Sequence, residues 1–486
     1  MLLGLDLGTT NVKALVTDLT GRPLGEGSCA VRLSYVGTDG VEQDIEEIWQ
    51  AVLSAIKQAM ASVTPADIRA IGVSSQGGAL QMLDVQARPL GRVVSWLDRR
   101  GRPFDDALTA ELGPQWFAER IGHARSGLVL GQLLRLREES PALLESPNRI
   151  GFVGDTIVKR LCGEAGHDGT SCGIACLYNP ALRDYDKDVL ERLGLTAEQF
   201  PELLAARRPR GGLRPVVARE TGLRAGVPVS AAIHDQYAAA LANGAVRSGT
   251  ALIGTGTAWV LLAVSDLSMK PVNDSAFVCH HVMDGLWGQI ISLPDGGSAL
   301  AQALELAGLG LQDSVELDRL LESVSPGSGG LECWTVRAGF GASKLAAHAT
   351  ARMMSPRGTQ SPGHIVRATL EGLAYELKRH IDLLFQAGMP VEQLFLSGRS
   401  AASRVSAQIL ADVTGLPLAC ADNSGSPLGA AILARALLEP TGSLAVLSTE
   451  MAPAVHQVDA GATAAIYREQ YRRYVQALTP PQLNLR

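Results

Sequence analysis

The residues best suited to chemistry stand in short polar stretches at the ends of apolar runs. Asp6 follows the run Leu2 to Leu5, and Gly8, Thr9, Thr10 and Asn11 come before a second run, Val12 to Val16. A glycine at such a tip lets backbone N–H groups approach an anion, the threonines add hydroxyl donors, and Lys13 adds a cation. Asp6, at a strand end, suits a hydrated Mg²⁺, a hard cation that prefers oxygen ligands. Taken alone, the stretch is equally an ordinary hairpin with a Gly-Thr turn. A second stretch, Gly254, Thr255, Gly256 and Thr257, changes that balance. Aligned on Asp18-Leu19 and Asp266-Leu267, the two share one offset of 248 residues (256 − 8 and 266 − 18). A repeat at about half the chain length marks a duplicated domain, not a solenoid. Two hairpins with glycine-threonine tips, one per half, can grip a polyphosphate from both sides.

Other polar stretches end apolar runs in the same way. The run Ile68 to Ser74 fits a buried strand and leads into Ser74, Ser75, Gln76, Gly77 and Gly78. Ligands of open α/β sheets bind beyond the carboxyl ends of strands, so this loop is a candidate wall of a site. Val93 to Trp96 is a further strand, closing on Leu97, Asp98, Arg99 and Arg100; Trp96 is expected in the core. Val227 to Ile233 delivers His234, Asp235 and Gln236 ahead of an alanine-rich helix, Tyr237 to Ala242, which Asp235 can also cap. In the second half, Leu394 to Ser397 runs into Gly398, Arg399 and Ser400. Ser403 then caps a helix with Val405, Ile409, Leu410 and Val413 on one face, stopped by Gly415 and Pro417. A strand, a glycine turn and a helix N-terminus suit the base and ribose of a nucleotide. The loop Asn423 to Gly429 starts the last alanine-rich helix.

The elements that must position these residues alternate strand and helix. Asp44 and Glu47 look like a capping pair for a helix with Ile45, Ile48, Val52 and Ile56 at helical spacing. Ile365 to Leu384 is a long helix on which Arg367 and Glu371, four apart, form a salt bridge. Residues 101–225 are less legible, with a helix near Leu128 to Glu139. At 486 residues the chain is long enough for two or three domains with large cores. Hydrophobic residues at 46% and charged residues at 19% describe a well-packed globule. A net charge of −6 gives no electrostatic reason to expect nucleic acid or an anionic membrane as partner. Asp6 interrupts the first apolar run, so the start does not read as a signal peptide, and no uncharged run reaches membrane-span length. The seven cysteines are scattered, and core packing is favoured over metal binding for Cys172, Cys176 and Cys279. A reducing cytoplasm is the expected location.

The paired hairpins resemble the superfamily of ATPases that holds actin, the sugar kinases and the heat-shock chaperones. Seven strings in one order narrow the resemblance to the FGGY carbohydrate kinases, xylulokinase branch: DLGTTNVK, WLDRR, HDQYAAAL, GTGT, RATLEGLAY, SGRSAAS with QILADVTGLP, and SPLGAAILA. The resemblance implies an α/β chain of two actin-like, ribonuclease-H-like domains, 1–244 and 245–486, with a nucleotide cleft between them. It implies ATP and Mg²⁺, and transfer of the γ-phosphoryl group to a hydroxyl of a small sugar, D-xylulose or a related ketose. Asp6, Gly8, Thr9, Thr10 and Lys13 then belong to the first phosphate motif. Gly254, Thr255, Gly256 and Thr257 belong to the second, and Gly398, Ala401 and Ser403 to the adenosine motif. Asp235 falls on the general base and, with Asp6, on the metal. Gln76, Gly77, Gly78, Asp98, Asp235 and Gln236 fall on the sugar side.

Three departures bear on the acceptor and the nucleotide. Gly77 and Gly78 stand where xylulokinases carry methionine and histidine, which leaves room for a larger or differently oriented substrate. Arg399 and Ser400 replace two glycines of the adenosine turn. The pair Asp235-Gln236 looks more like glycerol kinases, which keeps a glycerol- or erythritol-like polyol open. The competing class is a non-catalytic actin-like or chaperone-like ATP-binding protein. The subunit count is open, a homodimer included.

Overall fold

The structure is a computed structural model and describes residues 1–256, 258–293, 296–306, 308, 314–334, 352–354, 361–421 and 425–478. The first hairpin pairs Leu2–Leu7 with Asn11–Thr17, and Asp6 stands opposite Lys13. The second pairs Thr250–Thr255 with Trp259–Ser265. Both strands of the second hairpin therefore repeat the bounds of the first at the offset of 248. The pairing does not repeat, for Leu7 faces Val12 whereas Thr255 faces Trp259, so the second turn is one residue tighter.

Each hairpin is the middle of a mixed sheet. In the first, Pro23–Ala30 and Asn11–Thr17 extend the sheet on one side of Leu2–Leu7 in antiparallel pairings, and Ala70–Ser75 and Pro228–His234 follow on the other side, parallel to it. In the second, Trp287–Leu293 and Trp259–Ser265 extend the sheet on one side of Thr250–Thr255 in antiparallel pairings, with Gln393–Gly398 and Leu418–Ala421 parallel on the other. The parallel strands are buried on both faces, so they are written as near-continuous apolar runs rather than alternating ones.

Helix Ile45–Ala59 packs on one face of the first sheet through Ile48, Val52 and Ile56, against Leu3, Leu5 and Val73. Its cap is half of the expected pair: Asp44 accepts the Glu46 N–H, while Glu47 instead accepts from Arg32 N–H. The other face of the first sheet is covered from far along the chain. Helix Ser426–Leu438 lies across Leu2–Leu7 and Ala70–Ser75 and joins their core through Leu428, Ala431 and Ile432. Two glycines of the sheet permit the approach, and a third, Gly429, seats the same helix on helix Asp235–Asn243. A Cβ on Gly4 would stand 2.0 Å from the Pro427 carbonyl oxygen, one on Gly72 1.8 Å from that of Ala430, and one on Gly429 1.8 Å from that of Ala238. Arg207 adds hydrogen bonds to the carbonyls of Pro440 and Gly442, and Arg435 to that of Leu19.

In the second half, helix Pro362–Gln386 and helix Arg404–Thr414 share a core with Ile253, Leu261 and Leu396. The expected Arg367–Glu371 pair is present at 2.9 Å and buried, and Arg367 also donates to Tyr467 Oη. Cys172, Cys176 and Cys279 are buried. Among the described residues no helix is long and apolar enough to cross a membrane.

Candidate active site

Three parallel strands of the first sheet end level with one another. Leu7 pairs with Ser75, and Ser75 with His234. The side chains just before and after that line are therefore neighbours: Asp6, Ser74, Gln76 and Asp235. Ser74 Oγ donates to Asp6 Oδ1 at 2.8 Å. Burial, and then the charge of Asp235, push the Asp6 carboxyl up to about 7, against the Ser74 hydroxyl and Lys13. Burial likewise raises Asp235 to about 6, against hydrogen bonds from Gln236. Asp235 opens helix Asp235–Asn243, and its side chain is 26% exposed, so it faces an opening and not the core.

The two halves meet at this point. Gln236 Oε1 lies 3.6 Å from where a Cβ on Gly254 would stand. The tip of the second hairpin thus adjoins the helix start that carries Asp235. In the second sheet Thr255 pairs with Gly398, so its strand ends are also level. Gly398 has φ +88, and a Cβ there would stand 2.8 Å from the Thr255 carbonyl oxygen, two reasons for glycine at this turn.

Several of the expected ligands are hydrogen-bonded to other residues of the site. Thr9 Oγ1 donates to Gln76 Oε1 at 3.1 Å and accepts from the Trp96 indole N–H at 2.8 Å. Gln76 Nε2 donates to Gln43 Oε1, and Gln43 Nε2 donates to the Thr9 carbonyl. Thr10 and Lys13 are exposed, and Gly8 closes the turn by donating to the Asn11 carbonyl. Thr255 Oγ1 donates to the Ser397 carbonyl and accepts from Ser400 N–H, tying the second hairpin to the adenosine turn. Ser403 caps its helix as expected, accepting from Ser406 N–H at 3.1 Å, and is buried with its hydroxyl on Asp318. Asp318 also takes the Arg404 and Val405 N–H groups, so a protein carboxylate already occupies this helix N-terminus. Ala401 is buried beside it, and Gly256 is exposed. Thr257, Asn423, Ser424 and the Arg399 side chain lie outside the described residues.

Two expectations are corrected. Asp98, expected on the sugar side, is not open to a sugar. Its side chain is buried and accepts from Val41 N–H, Arg100 N–H and guanidinium, and Gln132 Nε2. Burial pushes its carboxyl up, but Arg100, Val41 and Gln132 outweigh that and hold it below the usual carboxylate range. Trp96 is not in the core but 39% exposed, held at the rim by its bond to Thr9.

The room expected beside Gly77 is filled, and that beside Gly78 is bordered at contact distance. A Cβ on Gly77 would stand 2.4 Å from both His234 Cδ2 and Ile174 Cγ2. One on Gly78, at φ +71, would meet Leu128, Trp96 and Ile174 at ordinary contact distance. Ile174 ends helix Gly169–Ile174, whose cap Asp168 accepts from Thr170 Oγ1, while Thr170 Oγ1 accepts from His234 N–H at 3.0 Å. These residues come from the poorly legible region. The Asp168-Gly-Thr-Ser cap was a local signal for the helix but not for its place.

Residues 1–242 match the N-terminal domain of the FGGY family of carbohydrate kinases, and residues 251–437 its C-terminal domain. The chain is 27% identical to the xylulose kinase of Escherichia coli strain K12 over 99% of both chains. It is 28% identical to the glycerol kinase of Alkalilimnicola ehrlichii over 89% of both. Among solved structures, xylulose kinase from Rhodospirillum rubrum has a TM-score of 0.87 at 23% identity, covering 98% of this chain and 97% of that one. Plasmodium falciparum glycerol kinase with ADP has a TM-score of 0.88 at 17% identity, covering 99% and 98%. The expected two-domain actin-like fold is the fold these structures share. With both halves matched in order over most of its length, the chain belongs to the FGGY family of carbohydrate kinases.

Proposed function

We propose that this kinase transfers the γ-phosphoryl group of ATP to a hydroxyl of a small ketose of the D-xylulose type, with Asp235 as general base. One observation carries the proposal. Asp235 stands at a strand end, close enough for its charge to raise Asp6, while the adjoining Gln236 lies against Gly254 of the other hairpin. Phosphoryl transfer asks the protein mainly for placement and charge neutralisation. Gly8, Thr10 and Lys13 supply donors and a cation at the first tip. Gly254 and Gly256, with Thr257 assigned by the repeat, supply the facing backbone. Gly398 and Ala401 shape the turn for adenosine. Thr9, Gln76, Asp98, Thr255 and Ser403 hold these parts in place. Asp235, raised to about 6, takes the proton of the acceptor hydroxyl as its oxygen bonds to the γ-phosphorus and the bond to ADP breaks.

Asp6 and Asp235 fit Mg²⁺, which is commonly held by one or two carboxylates with water and phosphate completing its shell. Their mutual repulsion is what a divalent cation relieves. Among the described residues no group of three or more His, Cys, Asp or Glu offers a closed metal cage. When bound, the ion would neutralise phosphate charge.

A polyol acceptor is the second reading, favoured by the narrowing of the pocket by Ile174 and His234. The site serves a small molecule, and a cytoplasmic setting suits an ATP-consuming enzyme. The test is coupled ADP release over pentuloses, hexuloses and polyols, with Asp235→Asn alongside. Wild-type turnover with a ketose, lost about 100-fold or more in the variant while ATP still binds, is expected. Equal turnover by the variant would refute the base assignment.

A further inference from the structure

The imidazole of His234 has one nitrogen in use and one to spare. Its Nδ1 accepts the N–H of Gln236 at 3.2 Å, capping the helix that starts at Asp235. An accepting Nδ1 carries no proton, so the ring is neutral and its proton sits on Nε2. Nε2 has no hydrogen-bond partner among the described residues, although His234 is only 6% exposed. Nε2 is not sealed off from solvent, so its N–H stays free to donate to a ligand or water.

The ring's position suggests which ligand. It lies against Gly77, where any side chain would collide with it, beside Ile174, which also touches the Gly78 position under Trp96. Its Nδ1 is 3.3 Å from Asp235 Oδ1. Nε2, across the same ring, stands 2.7 Å from where a Cβ on Gly77 would be, so it borders the loop that follows the strand beside Asp6.

We propose that His234 is a specificity residue whose Nε2–H donates to the acceptor oxygen on the carbon next to the phosphorylated hydroxyl. The kinase then selects acceptors with two oxygens on adjacent carbons, one to Asp235 and one to His234. Gly77 is required because it makes room for the imidazole, not for a bulkier substrate. This rests on the acceptor binding at Asp235, as proposed above.

The test pairs an acceptor with the analogue lacking the neighbouring oxygen: glycerol with 1,3-propanediol, and D-xylulose with 4-deoxy-D-xylulose. Steady-state kinetics are measured for wild type, His234→Asn and His234→Gln. Asparagine keeps an oxygen to cap the helix but does not reach as far as Nε2, while glutamine restores reach and an N–H donor. In wild type the missing oxygen should raise acceptor KM roughly tenfold, the loss of one hydrogen bond. In His234→Asn the full acceptor should already show that increase and the deoxy analogue no further penalty, with KM for ATP unchanged. His234→Gln should recover part of the discrimination, and it serves as the measured variant if asparagine does not fold. An equal deoxy penalty in wild type and variants overturns the role of His234 while leaving the kinase assignment intact. A wild type inert with every acceptor overturns both.

Discussion

Replacing Gly72 by alanine is expected to disable this enzyme from outside its site. Gly72 lies in the strand Ala70–Ser75, under helix Ser426–Leu438, and its new Cβ would stand 1.8 Å from the Ala430 carbonyl oxygen and 2.7 Å from its carbon. Both are backbone atoms, so no rotamer change relieves the clash. Reaching ordinary separation at 3.4 Å means lifting the helix by about 1.6 Å (3.4 − 1.8). Gly4 pins the same helix one strand away, so it must tilt or leave both strands. Opening a gap of about 1 Å weakens the dispersion attraction between the facing atoms by a quarter to a half. Overpacking costs typically about 1–3 kcal/mol, and a backbone clash sits at the upper end. At about 2–4 °C per kcal/mol for a domain of this size, Tm should fall by about 6–12 °C. Activity should fall too. Ser74 is two residues beyond Gly72 and holds Asp6, and Gly429 of the same helix rests on Ala238 behind Asp235. Misplacing reacting groups by about 1 Å can cost on the order of 100-fold in rate. Thermal unfolding by circular dichroism and coupled ADP release measure both effects. Gly127→Ala, whose Cβ would meet nothing closer than 3.7 Å, is the control. A Gly72→Ala enzyme with the Tm and kcat/KM of wild type would refute the argument that helix and sheet touch through glycine.

Three further outcomes follow from the carboxylates and the buried ion pair. The acid limb of kcat/KM should lie at or below about pH 6, the value burial gives Asp235 without a cation, and should move to lower pH as Mg²⁺ is raised; a limb that does not move with Mg²⁺ would count against the two carboxylates holding it. In the ligand-free protein, Asp6 binds a proton more tightly folded than unfolded, so its ionisation costs stability on the order of 4 kcal/mol above about pH 7, a cost removed as pH falls toward 4. Asp6→Asn should therefore stabilise the apoprotein at pH 8 and lose that advantage on acidification; urea midpoints that differ equally at both pH values would contradict this. Arg367→Ala leaves Glu371 without its buried cation and should cost about 3–5 kcal/mol, read by guanidinium unfolding; a loss under about 1 kcal/mol would show the pair to be incidental.

The strand ends were legible because each is announced by its neighbours in sequence. Leu2–Leu7, Ala70–Ser75, Pro228–His234 and Gln393–Gly398 are apolar runs broken by polar residues, and the structure ends each within two residues of expectation. What those polar residues do was less legible. Asp98 was expected to face the sugar, yet Val41, Gln132 and Arg100 take up its carboxylate in the interior. Trp96 looked like core because large aromatics usually are, but the Thr9 hydroxyl holds its indole N–H at the rim. Helix Gly169–Ile174 is too short to show periodicity, so Ile174 gave no sign that it lines the pocket.

From sequence alone came the duplicated hairpins and the polar ends of the buried strands, and the family resemblance added Asp6 and Asp235 as the proposed reacting carboxylates. The strand ends depend on residues within a few positions of one another, where strand and turn preferences act, and the duplication shows when the two halves are aligned. Only the folded chain decided that Gly77 seats an imidazole, that Gln236 meets Gly254, and that helix Ser426–Leu438 covers the opposite half through Gly4 and Gly72. Each of those is a steric contact between residues 18 to more than 400 positions apart, and local preference carries no information about which distant surface arrives.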